Sequence, residues 1–181
     1  MVAENPMLKP TKPVTALGEL QSQPDVMGAI RQKRGGAPSR QMNSLEILRE
    51  SMAEELADPA QMEKFLSDIA RGAQAGAFGL VQIGNTVFLI SKFSDGGQPL
   101  PAATAEVHMF SVEPTSALGA RIAVLPNTMR ELGYRKLFTI LDDASMVRLL
   151  QSVAPKAKMA VNVQQSNMGG QPVYRAEIDL L

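Results

Sequence analysis

The sequence predicts an α/β (α+β) domain: a single mixed, mostly antiparallel sheet flanked by helices, behind an extended N-terminal arm. Three observations predict this. Apolar residues recur at helical spacing in four segments, β-rich runs fill six others, and the two kinds alternate only in the second half of the chain. Residues 1–42 show neither pattern and hold five of the twelve prolines (Pro6, Pro10, Pro13, Pro24, Pro38).

Proline fixes φ, removes a backbone donor and restricts its neighbour, so residues 1–42 favour extended structure, with one short helix expected from Asp25 to Lys33. The arm carries six basic residues against three acidic ones, a net +3 that leaves the remainder at −3. Arg31, Lys33, Arg34 and Arg40 form its basic group and suit a partner surface or nearby phosphates. Such a segment buries too little apolar surface to order alone and is expected to dock on a partner.

The domain is expected over residues 43–181. Asn43 with Glu46 three residues later forms a capping box, and Leu45, Leu48, Met52 and Leu56 follow at helical spacing. Asp58-Pro59 opens a second helix as N-cap and N1, with Met62, Phe65, Leu66, Ile69 and Ala73 as its buried stripe and Gly76 as its stop. Phe78 to Ile83 and Thr86 to Phe93 are strands joined by a Gly84-Asn85 turn. A glycine- and proline-rich loop leads to a third strand, Ala105 to Val112.

Pro114 and Thr115 introduce a helix in which Leu118, Ile122, Leu125, Met129 and Leu132 repeat. Pro126 is expected to kink or divide it, and Gly133 to close it in the left-handed conformation. Leu137 to Leu141 (LFTIL) is a continuous apolar run, as expected of a central strand buried on both faces. Asp142-Asp143 caps a short helix that ends before Pro155. The chain closes with Lys158 to Gln164, a turn near Gly169-Gly170, and Val173 to Leu181.

Composition excludes several chemistries. With no cysteine there are no disulfides and no thiol nucleophile, and His108 is the single histidine, so no metal site is expected. No segment approaches the roughly 18–20 apolar residues that span a bilayer, and no membrane partner is expected.

From residue 43 on, the order resembles the GNAT superfamily of N-acetyltransferases, with Glu131-Leu132-Gly133-Tyr134-Arg135-Lys136-Leu137 similar to that family's passage from helix into strand. The resemblance implies a Q/R-x-x-G-x-G/A loop for the CoA pyrophosphate. The candidate stretch holds Ser116, Gly119 and Ala120, without the leading Gln/Arg, and Leu118 within it belongs to the apolar stripe of a helix. It also implies a general-acid tyrosine where this chain has Val147-Arg148-Leu149-Leu150, and in some members a general base where Glu106 stands. By strand alternation Glu106 and His108 share a face, a candidate acid/base pair.

With both signatures unmatched, the expected function is non-enzymatic. It is that of a structural protein of a bacteriophage virion (capsid, portal or tail), made in the host cytoplasm and docked on other subunits through its arm. No cofactor is expected. The alternative is a diverged acyl-CoA-dependent N-acetyltransferase that binds acetyl-CoA.

Overall fold

The computed structural model describes residues 40–94, 97–168 and 170–181. The arm therefore lies outside the described residues except at its end. There Asn85 accepts from the Met42 N–H (3.2 Å) and donates to the Arg40 carbonyl (3.2 Å), tying the entry of the domain to the first hairpin turn.

Helix α1 (Ser44–Ser51) starts from Asn43, and the capping box is complete: Asn43 accepts from the Glu46 N–H while Glu46 reaches back to the Asn43 N–H. It is shorter than the spacing predicts. The Ser51 hydroxyl bonds the Leu48 carbonyl (3.1 Å), the helix stops, and Leu56 reaches the same apolar cluster from outside it. Helix α2 (Pro59–Gln74) has Asp58 as N-cap and Pro59 in its first turn, as expected.

Strands β1 (Phe78–Ile83) and β2 (Thr86–Ser91) form the hairpin on Gly84-Asn85, and β3 (Thr104–Ser111) runs antiparallel to β2. β2 ends two residues earlier than predicted because the Ser91 hydroxyl bonds both the carbonyl and the N–H of Phe93, turning the chain. Helix α3 (Thr115–Glu131) runs undivided through Pro126, which is buried with Ile122, Leu125 and Met129. Gly133 closes the helix at φ +89°, a conformation that costs glycine little. Strand β4 (Lys136–Leu141) and helix α4 (Ala144–Val153) follow. Asp143 caps α4 by accepting from the Ser145 N–H at 2.7 Å, and its carboxyl is held below its ordinary range by the Ser145 hydroxyl and N–H. β5 (Met159–Met168) and β6 (Gln171–Leu180) close the chain as a hairpin.

The six strands make one mixed sheet in the order β1-β2-β3-β4-β6-β5, in which only β3 and β4 are parallel. Side-chain alternation sorts the core into two layers. On one face Phe88, Ile90, Ala105, Val107, Leu137, Ala176 and Ile178 meet α3 and α4. On the other, Leu80, Val87 and Leu89 meet α1 and α2. The second layer is narrower, for α1 and α2 pack chiefly on β1, β2 and β3. β4 is consequently not buried on both faces as its sequence predicts: Leu137 is 1% exposed while Ile140 is 44% exposed. No helix among the described residues is long and apolar enough to cross a membrane.

Candidate functional site

A parallel pair joined by a crossover helix hydrogen-bonds for as long as the two strands stay adjacent. β3 and β4 stay adjacent for three rungs, Thr104–Lys136, Ala105–Leu137 and Glu106–Phe138, and then part. Beyond Glu106, the edge of β3 that faces β4 has no strand partner among the described residues, although its other edge stays paired with β2 to the end. The parted ends open over an apolar cleft of about 60 Å³. Val107 and Met109 of β3, Leu141 of β4, Pro126 of α3 and Met146 of α4 line it, and Thr139 is the one polar side chain in its wall.

Glu106 stands on the last shared rung, at the apex of the opening. Its side chain is 8% exposed, and its Oε1 lies 3.6 Å from Nε2 of His108, which is 36% exposed. The two share the face away from the cleft, as strand alternation predicts, so the structure brings the predicted pair together. A buried carboxylate beside a half-exposed imidazole can take a proton and hand it outward.

Helix α3 meets the cleft through Ile122, Leu125 and Pro126, past its first turn. Pro114 is its N-cap and supplies no side-chain cap bond; the Ala117 N–H donates to the Pro114 carbonyl at 2.8 Å, so only the Thr115 and Ser116 N–H groups of the first turn could meet an anion. Ser116, Gly119 and Ala120 all lie within this helix. A Cβ at Gly119 would meet Leu149 at 3.3 Å and Val153 at 3.6 Å, so this glycine lets α3 approach α4 and is not part of an open loop.

Sequence reasoning missed a buried ion pair behind that helix end. Arg121 donates from Nε and Nη2 to the two oxygens of Glu113, both at 2.7 Å, and both side chains are under 7% exposed. Thr86 also donates to Glu113 (3.0 Å), and the Ser111 hydroxyl accepts from the Glu113 N–H (3.1 Å). Burial opposes ionisation of Glu113. The bonds and charge of Arg121, helped by Thr86 and the Asn85 backbone, outweigh it and hold the carboxyl below its ordinary value. Gly84, at φ +63°, lies against the same guanidinium, where a Cβ would collide with it. The pair therefore fixes the start of α3 to the β1–β2 turn. A charged residue inside the apolar stripe of α3 was the signal for it.

Of the predicted basic group, Arg31, Lys33 and Arg34 lie outside the described residues. Arg40 is exposed and pairs with Glu46 at 2.8 Å. Among the described residues no three acidic or histidine side chains gather as a metal site would require.

No family model matches the chain, and no curated protein matches it in sequence. Solved structures do match its fold. A chimera of the spermidine N-acetyltransferase SpeG from Vibrio cholerae with hSSAT is 12% identical, with 78% of this chain and 93% of that chain covered at a TM-score of 0.53. A GNAT-family protein from Desulfovibrio desulfuricans, assigned as an acetyltransferase, is 14% identical over 78% of this chain and 98% of its own, at 0.53. The Salmonella typhimurium protein yncA, likewise assigned and solved with its cofactor acetyl-CoA, is 12% identical over 78% and 92%, at 0.52. The domain is GNAT-like in fold. This corrects the expectation of a bacteriophage virion component: these neighbours are acetyltransferases, and none of them is a capsid, portal or tail protein.

Proposed function

We propose that the chain is an acyl-CoA-dependent N-acyltransferase. The observation that carries this reading is the parting of β3 and β4 after Glu106, over an apolar cleft lined by Val107, Met109 and Leu141. The residues present fit the cofactor in three respects and fail it in a fourth. The unpartnered edge of β3 suits the amides of an extended pantetheine arm, and the apolar wall suits its carbon chain. The Thr115 and Ser116 N–H groups at the start of α3 suit the pyrophosphate, while Gly119, packed on α4, adds nothing to that cradle.

When bound, acyl-CoA supplies an acyl group activated for attack by an amine. Glu106 would accept the proton the amine sheds, and His108 would pass it to water. The Glu113–Arg121 pair touches no substrate in this scheme and acts as a positioning device for the start of α3. Tyr134 and Tyr174 lie on neither α3 nor α4, so no tyrosine is assigned as general acid.

Calorimetric titration of the full chain with acetyl-CoA tests the reading. Saturable binding that is weakened when Val107→Trp fills the cleft is the expected result. Absence of binding at millimolar acetyl-CoA overturns it.

A further inference from the structure

The fold leaves one side of the site uncovered, and we infer from it the class of acceptor. The open sheet face beside Glu106 selects an amine that also carries an oxyanion, a carboxylate or a phosphate, and Arg175 holds that oxyanion. This rests on the acyltransfer reading above.

The strand register arranges the face in two rows. Glu106, Phe138 and Glu177 are successive partners across β3, β4 and β6, and Ile140 and Arg175 are partners in the next row. α1 and α2 pack chiefly on β1, β2 and β3, so Glu106 is buried while Ile140 and Arg175, on β4 and β6, are exposed. Most of its charges are matched. Lys136 lies 3.3 Å from Asp179 and 3.9 Å from Glu177, and Glu106 faces His108.

Arg175 is the exception. Its contact is the ring of Phe138, with the guanidinium carbon 4.9 Å from the ring centre, and no carboxylate pairs with it among the described residues. Resting on the ring limits where the guanidinium goes and leaves its edge of N–H donors for a ligand. Phe138 is the rung partner of Glu106, so the backbones that carry the base and the ring lie one strand spacing apart, about 4.8 Å. An acceptor with its amine at Glu106 can thus set an apolar body on Phe138 and Ile140 and an oxyanion on Arg175. The same cation repels polyamines.

Initial rates of thiol release from acetyl-CoA by the full-length protein test this with a defined panel. The panel is L-phenylalanine and L-leucine, their amides, glucosamine 6-phosphate, glucosamine and spermidine. Acceptors bearing the oxyanion should exceed their neutral counterparts about tenfold in kcat/KM, the scale of one charge-assisted bond. The amino acids and the sugar phosphate separate carboxylate from phosphate. Arg175→Ala should raise KM for the favoured acceptor about tenfold with a smaller change in kcat, and Arg175→Lys should restore part of it. Thermal unfolding of both variants checks that the fold is kept.

Amides or spermidine used as well as the acids, or an indifferent Arg175→Ala, would overturn the inference. So would bound acetyl-CoA with no panel member acetylated, a result that leaves cofactor binding standing. Failure to bind acetyl-CoA removes the acyltransfer reading and this inference together.

Discussion

Glu106 and Glu113 are both buried carboxylates on or just after one strand, and their surroundings give them different work. Glu113 is held by both donors of Arg121 and by Thr86, so it stays charged and fixed. Glu106 stands buried at the last rung shared by β3 and β4, beside a histidine that reaches solvent. Replacing Glu106 by Gln keeps the shape and removes the base. We expect kcat to fall by about 10²-fold with acetyl-CoA affinity within a factor of about two, read by steady-state rates and calorimetry. Replacing Arg121 by Met strands Glu113 without its cation and should cost about 3–5 kcal/mol in urea unfolding. The Glu113 contribution has a definite pH sense. Its folded pKa lies below the ordinary 4.5, so the unfolded state takes up the proton first as pH falls. The stability advantage of the wild type over Glu113→Gln is therefore complete well above 4.5 and shrinks as pH falls through and below 4.5, which urea titrations across acidic pH measure.

Individual elements were largely legible in the sequence, because short-range chemistry makes them. The Asn43–Glu46 box, the Asp58 and Asp143 caps, the Gly84-Asn85 turn and the Gly133 stop each depend on neighbours within a few residues. What escaped depends on distant partners. Pro126 does not divide α3, because burial on the cleft wall holds the helix together across the missing donor. Arg121 was passed over inside an apolar stripe since its counter-ion lies on the preceding loop. Two glycines express how closely these elements approach one another. Gly119→Val should wedge α3 from α4 and cost about 1–3 kcal/mol, with acetyl-CoA affinity falling as the cleft deforms. Gly84→Ala meets both a positive φ and the Arg121 guanidinium, and should lower stability by about 2 kcal/mol or more in the same assay.

At the scale of the molecule, the sequence indicated one mixed sheet with helices on its faces and the GNAT-like order. It could not show that β3 and β4 share only three rungs, because the point of parting is set by how α3 and α4 seat on the twisted sheet. Nor could it show the bare face: LFTIL has the composition of a strand buried on both sides, and only the short reach of α1 and α2 uncovers Ile140. The non-enzymatic expectation gave weight to missing glycine and tyrosine signatures, whereas the opening at Glu106 is built from backbone geometry that no motif encodes. A ligand spanning that opening couples two halves of the sheet that otherwise touch at three rungs. Acetyl-CoA at about 100 times its dissociation constant should therefore stabilise the fold by about 2.7 kcal/mol, seen as a rise in Tm. Amide exchange should slow most over Val107–Ser111 and Thr139–Leu141.

The parted strands also bear on how the protein keeps. A sheet ordinarily has two outer edges to guard against pairing with another chain; this one has two more inside it, along β3 after Glu106 and β4 after Phe138. Among the described residues their shelter is the narrow cleft. A preparation warmed or concentrated without cofactor should cloud sooner than one stored with it, because whatever fills the opening also occupies the backbone groups on which a fibril would otherwise begin.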